Sequence, residues 1–263
     1  MSGAFRRLFA PPAAVIERDS VQVQLEDGEV VEVRRVRDPR ARRIKLSVDE
    51  RGARLTLPAR AAAVAGERFL LEHRHWLATQ LRRCHAESAG AALVPWQSTH
   101  LPLRGQDLPL HWQAGRYADL QLHADGAHFL LPARAGEAAL RRTLRAFYEA
   151  QARADVGRWL PRYLPGLPRA PRAVRYKIMS SQWGSLAPDG TMALDLALVL
   201  ARPAAFEYVL VHELCHLLQA NHSPAFWAEV EARCPHWREE RDWFHEHGRR
   251  IKATLRALLQ PSG

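Results

Sequence analysis

Tyr208–Trp227 reads YVLVHELCHLLQANHSPAFW, and its spacing sets the terms for the rest of the chain. His212, Glu213 and His216 stand in the H-E-x-x-H order, and His222 comes six residues after His216. On a helix of 3.6 residues per turn, positions four apart stack on one face, so His212 and His216 can share one metal ion. Glu213 lies about 100° round the same helix, within reach of a water beside that metal without being a ligand. Tyr208, Val209, Leu210, Val211, Leu214, Leu217 and Leu218 surround the motif, which predicts a helix buried on most of its circumference. Two imidazoles and a carboxylate are costly in such a helix unless paired or bound to metal. Surface histidines on an ordinary amphipathic helix are the competing reading, and the apolar flanks speak against it.

The third ligand depends on the course of the chain after His216. The spacing lets the helix continue through Leu217–Ala220 and end near Asn221, while Ser223-Pro224 is suited to cap the next helix. His222 then falls at a tight corner, where a side chain can turn back towards the first helix. His236, His245, His247, Glu229 and Glu231 stay open as alternatives. The short connection favours His222, because it fixes position better than a long one.

Together with SSQWGSLAPDGTMALDLALVLARPAAFEYVLV before it, the stretch resembles the YgjP-like metal-dependent hydrolases, relatives of the WLM and SprT-like zincins. The carriers of the resemblance are Trp183-Gly184-Ser185, the helix-starting Pro203, the histidine motif, and His222-Ser223-Pro224-Ala225-Phe226-Trp227. More loosely it extends back to Arg42–Ala59 and the Trp76 region. Gln182 and Leu186 depart from the family, which usually has Arg and Cys there. The resemblance implies a zinc-dependent peptidase-type hydrolase of zincin-like fold. Zinc would be held by His212, His216 and His222, with Glu213 as general base. Two rival functions remain: a DNA-associated SprT-like protease, and a non-catalytic module whose closed metal site only ties helices together. Three imidazoles and an open position suit zinc, while manganese and nickel are not excluded by residue type.

The fold class predicted is α+β, an N-terminal antiparallel β-rich region followed by a zincin-like helical core with a small sheet. Residues 1–19 read as a basic tail, 20–133 as a β-rich region with one long helix, and 134–263 as the metallopeptidase core. Alternation at Val21, Val23, Leu25 and at Val30 or Val31, Val33, Val36 around Asp27-Gly28 marks a hairpin, and Ile44–Leu57 marks a second. One helix is expected over Ala61–Glu87. His73 and His75 within it, two apart, cannot share a face. Strands follow at Thr99–Leu103, Leu108–Trp112, Asp119–His123 and His128–Leu131, giving the first half a doubled look without a convincing repeat. A long helix spans Gly136–Leu164. Strands at Val174–Ile178, Gln182–Leu186 and Thr191–Leu196 precede the metal helix, and either of the last two could form a rim for an extended peptide. Trp183 is a candidate to stack on that peptide or to brace the sheet. Asp195 and Glu207 are candidates to orient the imidazoles.

Composition narrows the partners. The 263 residues suffice for one sizeable domain or two small ones, with 47% hydrophobic and 25% charged residues. Lys plus Arg total 38 against 28 acids, for a net charge of +10, and the only lysines are Lys45, Lys177 and Lys252. That excess permits nucleic acid, although the arginines are dispersed and alanine is abundant, as a coding bias would produce. A peptide or protein is the expected substrate. Cys84, Cys215 and Cys234 carry no paired spacing, so a disulfide framework is not expected, and Cys215 reads as a small buried filler. Met1–Ile16 lacks the apolar run of a secretory signal, and no stretch has the length of a membrane span. The cytoplasm is the expected compartment.

Overall fold

The computed structural model describes residues 17–49, 52–88 and 92–259. Most of the expected basic tail lies outside them, and Glu17–Asp19 already belong to the first strand. The chain divides into two compact units at Ala86/Glu87, inside the 20–133 stretch that the sequence reads as one region.

In the first unit, β1 (Glu17–Gln24) and β2 (Val30–Asp38) form an antiparallel hairpin, as do β3 (Lys45–Asp49) and β4 (Gly52–Pro58). The hairpins meet through a parallel β2–β4 pairing, with Val33 opposite Ala53, so the sheet order is β1-β2-β4-β3. Alternation dictates which face each strand buries; it does not dictate which strands become neighbours. Val23, Leu25, Val33, Leu55 and Leu57 bury one face against Leu70, Leu77 and Leu81. These leucines come from two helices, α1 (Ala63–Glu72) and α2 (Arg74–Ser88), where the sequence predicts one. The break is at His73, which leaves helical geometry (φ −108°, ψ 13°); its ring stacks on Phe69 at 4.0 Å and its Nδ1 lies 2.9 Å from the Phe69 carbonyl. His75 pairs instead with Glu26 at 3.0 Å, so these two histidines do not act together.

The second unit begins by repeating the first unit's topology. Strands β5 (His100–Leu103), β6 (Gln106–Ala114), β7 (Asp119–His123) and β8 (Gly126–Leu131) are ordered β5-β6-β8-β7, again with a parallel central pairing. The doubling is therefore one of strand order. Leu101, Leu103, Leu110, Phe129 and Leu131 share a core with Leu140, Leu144, Phe147 and Tyr148 of α3 (Glu137–Tyr163). The Tyr148 hydroxyl, fully buried, donates to the Pro102 carbonyl at 3.0 Å.

A three-stranded sheet leads to the site. Strand β11 (Thr191–Asp195) lies between β10 (Gly184–Leu186), antiparallel to it, and β9 (Ala173–Lys177), parallel to it. Flanked on both sides, β11 cannot be the rim that receives a peptide, whereas β10 is an edge strand. After β11 a wholly buried 3₁₀ turn, Leu196–Leu200, brings the chain to α4 (Pro203–Cys215), whose first-turn proline has no N–H to leave unsatisfied. Ala205, Phe206, Val209, Leu210, Val211 and Leu214 are all buried on α4. Each large side chain among them contributes about 1.5–3 kcal/mol by leaving water, so this helix is a rigid base for what it carries. Helices α5 (Pro224–Arg233) and α6 (Trp237–Leu259) complete the unit, and α6 buries Trp237, Phe244, Ile251, Leu255 and Leu258 against the shared core.

Candidate metal centre

Helix α4 stops at Cys215, one residue before the second histidine. His216 keeps helical dihedrals at the cap (φ −67°, ψ −14°), and the amides of Leu218 and Gln219 both donate to the Cys215 carbonyl, at 3.0 and 2.9 Å. The expected continuation through Ala220 is thus replaced by a closing turn. The sequence signal was ambiguous because Leu217 and Leu218 are good helix formers; the turn instead directs the chain back over the helix. His222 returns across it, and its Nε2 lies 3.0 Å from Nε2 of His212.

The three imidazoles of His212, His216 and His222 form one cluster, with a ligand atom from each lying within 4.8 Å of the others. Ring centroids are 5.2 Å apart for His212 and His216, 5.0 Å for His212 and His222, and 4.8 Å for His216 and His222. Phe226, fully buried, supports all three at 4.6–4.9 Å. It is positioned by the N-cap of α5, where Ser223 Oγ accepts from the Phe226 amide at 3.4 Å. Trp227 beside it stacks on Trp237 at 4.3 Å. The other candidates are engaged elsewhere: Glu229 with Arg233, Glu231 with Trp237 and Arg238, His236 with Glu239, and His247 with Glu246. His245 lines the same cavity but is not in the cluster.

The donor chemistry fits a divalent metal ion. Burial, followed by repulsion from His216 and His222, lowers the His212 pKa to about 4, and burial also lowers that of His216. Both shifts favour the neutral ring, the form that binds a metal. The Nδ1–H of His216 donates to the Gln219 carbonyl at 3.1 Å, which leaves Nε2 with its lone pair. The 3.0 Å between Nε2 of His212 and Nε2 of His222 is short enough that one ion would be held by both. His212 Nδ1 is buried and has no hydrogen-bond partner among the described residues. Asp195 and Glu207 do not supply one: Asp195 holds Lys252 and the Ala197 amide, and Glu207 accepts from Arg162 and Tyr163.

Glu213 is 5% exposed, and burial raises its pKa to about 7. Its carboxyl lies against the backbone of Gly184 on β10. A Cβ added at Gly184 would meet Glu213 Oε1 at 2.5 Å, Cγ at 2.6 Å and Cδ at 2.8 Å, so only glycine leaves the acid its place. Trp183 is fixed in turn. Its ring lies 4.5 Å from that of Phe244, a Cβ at Gly248 would meet its Cζ2 at 2.7 Å, and Lys252 Nζ sits 4.2 Å from its centroid. Held on these sides by α6, Trp183 braces the sheet. Lys252, itself buried, also donates to the carbonyls of Gln182 (2.8 Å) and Met179 (3.1 Å) and to the Asp195 carboxylate. The segment leading into β10 is therefore fastened to α6, and β10 lies against the acid. The sequence reading named Gly184 and Lys252 but gave neither a role at the site. The available signals were a glycine inside a strand, which often marks close approach, and a lysine inside a helical stripe in a chain otherwise basic through arginine.

A cavity of about 860 Å³ opens over the cluster, lined among others by Gly184, Ser185, Glu213, Tyr208 and Arg241. Cys215, fully buried, has a thiol pKa raised to about 11 by burial and faces no ligand role. Cys215 and Cys234 carry free thiols.

Three imidazoles and an acid thus gather at one end of α4, beneath an open cavity. The chain belongs to the YgjP-like metallopeptidase domain family, whose pattern matches residues 42–247. It is accordingly a metal-dependent peptidase. Among solved structures it is similar to the metallopeptidase zymogen abylysin of Pyrococcus abyssi, at 26% identity over 40% of this chain and 96% of that one, with a TM-score of 0.29. Comparison with curated proteins finds no match. No helix among the described residues is long and apolar enough to cross a membrane.

Proposed function

We propose that the protein is a zinc metallopeptidase in which His212, His216 and His222 hold one zinc ion and Glu213 is the general base. The observation that carries this reading is the convergence of three imidazoles beside a buried carboxylate, at the floor of an open cavity. Zinc in such a site supplies Lewis acidity and makes water acidic near neutral pH. Glu213 takes the proton from the attacking water and gives it to the leaving amine. Gly184 keeps the Glu213 carboxyl in place for both transfers. Phe226 fixes the ring planes from below. The outer edge of β10, which has no strand partner among the described residues, offers backbone groups along which an extended peptide adds as a further strand.

The cavity favours this over a closed structural site, which would leave no room for water. The DNA-associated alternative gains no specific support, since many arginines are spent on acids of the same chain, among them Arg35 with Asp19, Arg104 with Asp155 and Arg202 with Glu240. The test is Glu213→Gln, assayed for peptide hydrolysis and metal content together. Hydrolysis should fall about 10²–10⁴-fold with metal retained. Undiminished turnover would remove Glu213 from the role.

A further inference from the structure

The outer face of the second four-stranded sheet gathers another set of metal-ligating side chains. His111 on β6 and His128 on β8 lie directly across the parallel pairing, and their rings are 4.8 Å apart. His123 ends β7, two residues beyond Gln121, the antiparallel partner of His128, so its side chain falls on the same face. Its ring is 4.5 Å from that of His128. Asp125 sits in the turn between β7 and β8. That turn closes tightly because Gly126 has φ +142° and no Cβ; a Cβ there would meet the Pro109 carbonyl oxygen of β6 at 2.4 Å. The close approach brings Asp125 to the histidines: its Oδ1 lies 3.0 Å from His128 Nε2, and its carbonyl lies 3.4 Å from His111 Nε2.

We propose that His111, Asp125 and His128 form a second metal site, for a first-row divalent ion such as zinc or nickel. One ligand atom from each lies within 4.8 Å of the others, and His123 stands beside them as a further imidazole. Two imidazoles with one carboxylate match zinc and nickel, whereas magnesium and calcium prefer all-oxygen sets. His128, the least exposed of the three, already has a partner at each nitrogen. Gln113 lies 3.1 Å from its Nδ1, and turning that amide presents an oxygen to Nδ1–H when Nε2 binds metal, the outer partner that ligating imidazoles keep. A bound ion would tie β6 to β8 and to the β7–β8 turn. The site is independent of the proposed catalytic one and shares no residue with it.

The test is equilibrium dialysis of the full chain against Zn²⁺, with metal counted per chain. His212→Ala/His216→Ala/His222→Ala should retain one equivalent, and His111→Ala/His128→Ala should lose one equivalent relative to the unaltered chain. In the triple variant, titration with Zn²⁺ should also shift the ring NMR signals of His111 and His128. Asp125→Asn, a change in an exposed turn that leaves the fold alone, should weaken that binding. A triple variant that binds no metal, or ring signals that do not move, would overturn the proposal. So would a double variant that binds as much as the unaltered chain.

Discussion

The two histidine clusters both gather imidazoles within reach of one ion, and they differ in their surroundings. At His212, His216 and His222 the rings rest on a buried phenylalanine, a carboxylate is held against a glycine, and a cavity lies above. At His111, Asp125 and His128 the same residue types lie on a solvent-facing sheet surface, and Asp125 and His111 are exposed. Gathering ligands takes little: a cross-strand pair and a tight turn suffice. Chemistry takes more, since the acid must be neither a ligand nor free to move, and it must sit where water can be positioned. On the proposed reading, activity depends on the packing round Glu213.

Breaking that packing should produce the largest effects. Beyond Glu213→Gln, the sharpest change is Gly184→Ala. Its methyl cannot coexist with the Glu213 carboxyl, and a displacement of about 1 Å is expected to lower kcat about a hundredfold. Metal content should be unchanged, because no imidazole is touched. If kcat survives, the glycine does not position the acid. Lys252→Met comes next. It strands the buried Asp195 and releases the Met179 and Gln182 carbonyls, so a loss of about 3–5 kcal/mol is expected in denaturant unfolding. A stability within 1 kcal/mol of the unaltered chain, roughly the scale of a solvent-exposed pair, would show that the pair counts for little. Gly248→Ala presses on Trp183, 2.7 Å away, and an overpacking cost of about 1–3 kcal/mol is expected, with kcat falling less than in Gly184→Ala. The smallest effect belongs to the other cluster: His111→Ala/His128→Ala should leave peptide hydrolysis unchanged. A loss of activity there would erase the distinction between the two regions.

Local features were legible in the sequence. The α4 motif and the Ser223-Pro224 cap depend on spacings of a few residues, and the structure brings His222 to His212 as the short corner implied. The hairpin at Asp27-Gly28 also follows from turn chemistry, with Gly28 at φ +85°. What was hidden depends on partners distant in sequence. Alternation could not say that β2 and β4 run side by side, nor helical spacing that His73 would leave the helix. Nothing local to Gly184 announces Glu213, twenty-nine positions on, and nothing local to Lys252 announces the carbonyls of Met179 and Gln182. Asp195 looked available to an imidazole because its real partner, Lys252, lies on the last helix.

The most direct test is anomalous diffraction at the zinc absorption edge from crystals of the zinc-loaded protein. The expected map has a strong peak enclosed by the side-chain nitrogens of His212, His216 and His222, with the Glu213 carboxylate outside the bonding distance and against Gly184. A peak that includes Glu213 as a ligand, or no peak at these three histidines, would contradict the account.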